Sequence, residues 1–81
     1  MSKLMVCIAE RSSGCSIWAQ PVDSVTVSNV IHLRWVLQGE LIVILDDQSL
    51  VDRNCVRVLS PVVGIGWMEV GSVAAYLRDV K

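Results

Sequence analysis

Residues 55–77, CVRVLSPVVGIGWMEVGSVAAYL, decide the fold of this chain. The first part of the stretch is rich in valine and isoleucine and is interrupted by Ser60-Pro61 and by Gly64. β-Branched residues fit a pleated strand and lose side-chain freedom in a helix. The stretch therefore predicts two strands, Cys55 to Leu59 and Trp67 to Val70, with the tight turn of a hairpin bracketed by Gly64 and Gly66.

The rest of the chain repeats this pattern of short apolar segments between turn residues, which is typical of a small barrel or sandwich. Strict alternation predicts strands over Asp23 to Ser28 and over Ile31 to Leu37, although a helix ending at Gly39 is the alternative for the second segment. We expect helix only in a short turn that Ser72 caps and that runs to Leu77. Further strands are predicted at Leu4 to Ala9, Ile17 to Ala19 and Leu41 to Leu45.

The same patterns predict which tryptophans are buried. Alternation puts Trp35 on one face with Ile31, Leu33 and Leu37, so we expect Trp35 in the core. Trp18 lies near Pro21, which confines its segment to a sheet edge or a loop. We therefore expect Trp18 to be the exposed tryptophan.

The order of segments in the second half resembles the SH3-like barrels, and bacterial SH3 domains most of all. The similarity covers residues 30–80: a break at Gly39-Glu40, an apolar strand, a Val-Arg-Val strand, Gly64-Ile65-Gly66-Trp67-Met68, and a turn with Ala75-Tyr76-Leu77. The resemblance implies one all-β SH3-like domain over residues 1–81. It puts a long RT-like loop at Ser12 to Ser28, a diverging turn at Val30 to Leu37, and one short C-terminal helical turn.

The resemblance does not extend to recognition of proline-rich peptides. Such ligands dock on aromatic-lined grooves, whereas Asn54-Cys55-Val56 and Cys7-Ile8-Ala9 stand where the peptide-binding members carry aromatic residues. Only Tyr76 matches that surface. Tryptophan is enriched at binding hot spots, so the candidate partner-binding residues are Trp18, Trp67 and Tyr76.

The sequence offers no strong sign of a metal, a cofactor or an enzyme. Cys7, Cys15, His32 and Cys55 lack the close cysteine pair of compact zinc sites, and a Cys–His dyad lacks an orienting group. Asp46 and Asp47 follow a predicted strand, and two adjacent aspartates at a strand end are typical of a solvent-exposed turn. Three is an odd number of cysteines, which argues against a secreted disulfide framework. We therefore expect reduced core thiols and a cytoplasmic protein with no cofactor.

Composition points to a protein partner. The chain is 53% hydrophobic and 19% charged, which is more apolar surface than 81 residues can bury. A net charge of −1 without a basic run makes nucleic acid unlikely as a partner, and Leu41 to Leu45 is too short to span a membrane. We expect a non-catalytic protein-interaction or assembly module of bacterial or phage type that forms homo-oligomers. The alternative is a small-barrel binder of single-stranded nucleic acid.

Overall fold

Seven short strands form a single sheet in the computed structural model, which describes residues 3–10, 15–22, 27–45 and 54–80. All strand pairs are antiparallel, in the order β3-β2-β6-β5-β4-β1-β7. One helix, α1, connects the last two strands. The elements are β1 Lys3–Cys7, β2 Ser16–Trp18, β3 His32–Trp35, β4 Leu41–Ile44, β5 Cys55–Ser60, β6 Gly64–Glu69, α1 Val70–Tyr76 and β7 Leu77–Asp79.

The β5–β6 hairpin has the most extensive pairing in the sheet, from Cys55 opposite Glu69 to Ser60 opposite Gly64. Gly64 has a φ of 80°, a conformation that costs glycine little because it lacks a Cβ atom. The hydroxyl oxygen of Ser60 accepts hydrogen bonds from the backbone N–H groups of the turn, so the end of the hairpin is closed by a side chain.

The main core cluster contains side chains from strands near both ends of the sheet. β2 and β7 are five strand positions apart, a distance of about 24 Å in a flat sheet, yet Ile17 and Leu77 belong to the same cluster. The sheet must therefore curl around its own side chains, as in a small barrel. The fully buried core residues include Cys7, Cys15, Ile17, Val36, Ile42, Val58, Met68 and Leu77.

The predicted all-β fold with one short helix is confirmed, and residues 31–37 contain a strand rather than a helix. Part of the predicted strand Asp23 to Ser28 lies outside the described residues, and Val27–Asn29 is a 3₁₀ turn. Serine and asparagine there favour turns because their side chains compete for backbone hydrogen bonds. The strand Leu77–Asp79 was not predicted, because only its pairing with β1 identifies it.

Three local predictions about turns and element ends fail. The hairpin turn lies at residues 61–63 and not between Gly64 and Gly66, which both belong to β6. α1 begins at Val70, after Glu69 in extended conformation, so Ser72 lies inside the helix and does not cap it. β2 is not an edge strand, because it lies between β3 and β6, and Pro21 follows it in a non-strand segment.

The prediction that Trp35 is buried is wrong, because 47% of the residue is exposed. The register of β2 against β3 shifts between Ile17 and Trp18. Val36 takes the fully buried position instead, and its N–H donates to the carbonyl of Cys15. Trp18, expected to be exposed, is half-buried. Alternation in the sequence thus predicted the strand correctly but not which of its residues enter the core.

Candidate interaction face

The outer face of the sheet carries a continuous line of aliphatic side chains. Leu4 is directly opposite Val43, Val43 is opposite Leu59, and Leu59 is opposite Ile65. Directly opposed residues of an antiparallel pair project from the same face, with Cβ atoms about 5 Å apart. These four residues, the aliphatic row, therefore cross β1, β4, β5 and β6 in one line.

The aliphatic row faces solvent. Leu4, Leu59 and Ile65 are 44%, 40% and 53% exposed, and Val43 is half-buried. Leu41 is 45% exposed and lies on the same face, two residues before Val43 along β4. The exposed apolar residues of four strands thus form one patch of the kind that marks an interaction site.

An aromatic stripe continues the outer face toward β3. Trp18 is directly opposite Trp67, and the Arg57 guanidinium lies 6.0 Å from the centroid of the Trp67 ring. The His32 ring contacts Trp18 edge-on and Trp35 in a tilted arrangement, with centroid distances of 4.8 and 4.4 Å. The stripe joins the aliphatic row because Trp67 and Arg57 lie two residues from row members along β6 and β5.

The aromatic stripe also holds buried polar atoms without partners. Within the described residues, neither Nε1 of Trp18 nor Nε2 of His32 has a hydrogen-bond partner. A buried polar group left unpaired costs about 1–3 kcal/mol. Each of these two nitrogen atoms therefore lacks a hydrogen bond that the described part of the chain does not supply.

The structure brings together two of the three residues predicted to contact a partner. Trp18 and Trp67 are neighbours in the stripe, and both are half-buried. Tyr76 ends α1, where its carbonyl accepts a hydrogen bond from the N–H of Ile8 and its ring packs against the core. The sequence did not reveal the aliphatic row, because its members come from four separate segments and only the sheet register aligns them.

The core contains a cluster of three sulfur side chains, Cys7, Cys15 and Met68, which we name the sulfur cluster. The Cys7 thiol donates to the carbonyl of Val36, whose own N–H donates to the carbonyl of Cys15. The Cys15 Sγ atom lies 3.9 Å from Met68 Sδ. Burial and the neighbouring Cys7 raise the pKa of Cys15 to about 12, so this thiol is protonated at neutral pH.

Other candidate metal ligands lie apart from this cluster. Cys55 is paired with Glu69, so it faces the opposite side of the sheet from Met68, whose partner is Val56. The Cys55 thiol donates to the carbonyl of Val22. Among the described residues no three histidine, cysteine, aspartate or glutamate side chains converge as a ligand set. Asp46 and Asp47 lie outside the described residues.

One partly buried ion pair stabilises the segment between β3 and β4. The Arg34 guanidinium donates to both carboxylate oxygens of Glu40, with the Nε to Oε2 distance at 3.1 Å. These hydrogen bonds hold the pKa of Glu40 below its usual value. Glu40 is therefore ionised at neutral pH and anchors the turn that leads into β4.

Comparison with known proteins does not assign a family. No family model, curated protein or solved structure matches the chain. No helix of the described residues is long and apolar enough to cross a membrane.

Proposed function

We propose that this chain is a non-catalytic protein-interaction module, built on an SH3-like barrel, that self-associates through its outer face. The aliphatic row is the observation that carries this proposal. An aliphatic side chain on the solvent face of one strand is ordinary, but four in direct register across four strands are not explained by folding alone.

The size of the patch supports a second copy of the chain as its occupant. Leu4, Leu41, Leu59 and Ile65 are each 40–53% exposed on this one face. A standard interface buries about 800 Å² per partner, somewhat more than half of it apolar. The patch thus supplies an apolar centre for one side of such an interface.

Charge also permits a dimer built from two outer faces. The net charge of −1 gives little repulsion between copies. Two sheets can pack face to face about 10 Å apart with their side chains interdigitated. We include Trp18 and Trp67 in this interface because the aromatic stripe adjoins the row. Tyr76 stays a separate candidate contact residue.

The SH3-like assignment has support from the position of the helix. A Gly-Trp strand, β6, is followed directly by a short helix that ends in Tyr76, and the chain then re-enters the sheet as β7. The turn at Gln38-Gly39 leads into β4, as the resemblance implies for the break at Gly39-Glu40.

Charge substitution in the aliphatic row tests self-association. We expect sedimentation equilibrium to show a dimer or larger species for the unmodified chain at micromolar concentration and a monomer for Ile65→Lys and Leu59→Lys. A buried lysine opposite an apolar surface loses its hydration without a counter-charge. Val70→Lys is the matched control, because Val70 is 43% exposed but lies on α1, outside the row.

Circular dichroism establishes that each variant is folded. A strictly monomeric unmodified chain at high micromolar concentration would contradict the proposal. Equal weakening by Val70→Lys would show that added charge, rather than the row, controls association.

Single-stranded nucleic acid is the second candidate ligand, and the aromatic stripe is the observation that favours it. Bases stack on aromatic side chains for about 1–3 kcal/mol each, and Arg57 adds a cation beside Trp67. The net charge counts against it, since such binders use a positive groove. Titration of tryptophan fluorescence with a single-stranded oligonucleotide at low salt separates the candidates, and we expect no quenching.

A further inference from the structure

The sulfur cluster has the composition of a soft-metal site. Two thiols and one thioether meet in a part of the core that contains Cys15 and Met68 with 0% exposure and Cys7 with 1%. Backbone contacts hold the two cysteines close to each other. Val36 accepts from the Cys7 thiol, at 3.9 Å, and its own N–H donates to the carbonyl of Cys15.

The ligand set selects among metal ions. Thiolate and thioether ligands favour Cu(I), whereas Zn²⁺ in structural sites takes four ligands, usually cysteine and histidine. His32 lies in the aromatic stripe and Cys55 faces the other side of the sheet, so neither completes a zinc site here.

The spacing of the sulfur atoms fits three-coordinate geometry. Three sulfur ligands about 2.3 Å from a central metal ion lie about 4 Å from one another. The Cys15 Sγ to Met68 Sδ distance is 3.9 Å. Cys7 lies beside this pair, because Val36 contacts both the Cys7 thiol and the carbonyl of Cys15. The Cys15 and Met68 sulfur atoms thus already have the spacing that a shared metal ion requires.

We propose that the sulfur cluster binds one Cu(I) ion, with Cys7 and Cys15 as thiolate ligands and Met68 as the thioether ligand. Binding forms three copper–sulfur bonds, and the two thiol protons leave to solvent. Copper remains Cu(I), so no oxidant or reductant takes part. The sequence alone predicted no metal site, because Cys7 and Cys15 do not form the close pair of a zinc site. Met68 joins them only in the folded chain.

The position of the ligands in the chain gives the ion a route into the core. Cys7 is the last residue of β1 and Cys15 directly precedes β2, so both ligands lie at strand ends. Access for the ion requires local opening there, which separates Cys7 from its backbone hydrogen-bond partners Glu40 and Gly39. Local opening of this kind occurs at lower free energy than global unfolding.

Competition for Cu(I) tests the site directly. The reduced protein is incubated anaerobically with Cu(I) and bathocuproine disulfonate, and the chelator absorbance reports the copper that the protein retains. We expect one Cu(I) per chain and complete loss of retention in Cys15→Ser. Met68→Leu conserves volume and should fold, and we expect its affinity for Cu(I) to fall by roughly tenfold or more.

Cys55→Ser is the matched control, because it removes a buried thiol that is not part of the cluster. We expect it to retain copper like the unmodified chain, and circular dichroism verifies the fold of every variant. Failure of the folded, unmodified protein to retain Cu(I) would overturn the proposal. So would unchanged affinity in Met68→Leu, or loss of binding in Cys55→Ser with retention in Cys15→Ser.

Discussion

At the residue scale, Gly66 shows how closely the strands of this small sheet approach each other. A Cβ atom at this position would collide with the Ile17 side chain, and it would lie 3.0 Å from the carbonyl oxygen of Trp18 and 3.3 Å from Leu33. The backbone carbonyl of Trp18 cannot rotate away as a side chain can. The absence of a side chain at Gly66 is therefore a condition for packing β6 against β2 and β3.

We predict that Gly66→Ala lowers the free energy of unfolding by about 1–3 kcal/mol, the usual cost of overpacking a core. Gly71→Ala is the control, since nothing lies within 4 Å of its added Cβ atom and it is in α1. Alanine is favoured over glycine in a helix by up to about 1 kcal/mol, so this variant should be as stable as the parent or more stable. Urea unfolding followed by tryptophan fluorescence measures both, and equal effects would contradict the close approach at Gly66.

Glu40 gives the protein a predictable response to acid. Its pKa is below its usual value of 4.5 in the folded chain because Arg34 donates hydrogen bonds to the carboxylate. The ion pair with Arg34 therefore stabilises the fold at pH values above the pKa that Glu40 has in the unfolded chain. This stabilisation is lost as the pH falls through the lower pKa that Glu40 has in the folded chain.

We predict that Glu40→Gln is less stable than the parent at pH 7 and that the difference shrinks as the pH drops below 4.5. Thermal unfolding of both proteins across this range measures the difference. A gap that stays constant down to strongly acidic pH would show that the carboxylate charge of Glu40 does not stabilise the fold.

At the element scale, the β5–β6 hairpin is the best-defined unit of the sheet, and Ser60 closes it. Ser60 is 2% exposed, and its hydroxyl oxygen accepts from the N–H groups of Val62 and Val63 at 3.1 and 3.3 Å. Without the hydroxyl these turn N–H groups lose their side-chain acceptor. The turn then depends on backbone conformation alone.

We predict that Ser60→Ala costs about 1–2 kcal/mol, the typical loss when a partly buried hydrogen-bond acceptor is removed. Ser28→Ala is the control, because Ser28 is exposed in the 3₁₀ turn and such substitutions change stability by less than about 0.5 kcal/mol. Chemical denaturation gives both values. A loss in Ser60→Ala no larger than in Ser28→Ala would show that the hydroxyl does not stabilise the turn.

At the scale of the whole molecule, a small curled sheet buries its inner face and leaves much of its outer face exposed. The inner face of this sheet takes the core residues of six strands, and the aliphatic row lies on the outer face of four. The proposed self-association through the outer face would couple folding to association, because a dimer that only the folded chain forms favours the folded state.

We predict that the thermal midpoint rises with protein concentration, since any partner that binds only the folded state stabilises it by mass action. The same scan on Ile65→Lys should show no such dependence. A midpoint independent of concentration in the unmodified chain would contradict self-association, whatever the fold.

The sequence by itself determined the all-β class, the positions of most strands, and the single short helix, because branched apolar segments and turn residues act locally. Local patterns did not predict the exposure of Trp35, the position of Ser72 inside α1 or the existence of β7. The register shift in β2 exposes Trp35, the end of β6 sets the start of α1, and β7 exists only through its pairing with β1.

The sequence identified Trp18 and Trp67 as candidate contact residues, but only the tertiary structure revealed the aliphatic row and the sulfur cluster. Leu4, Val43, Leu59 and Ile65 look like ordinary strand residues until the register aligns them, and Cys15 and Met68 are 53 residues apart in the chain. Contacts between distant segments follow from strand order and pairing, and the alternation within one segment carries no information about either. Local chemistry therefore decided what the elements are, and the curling of the sheet decided which side chains meet.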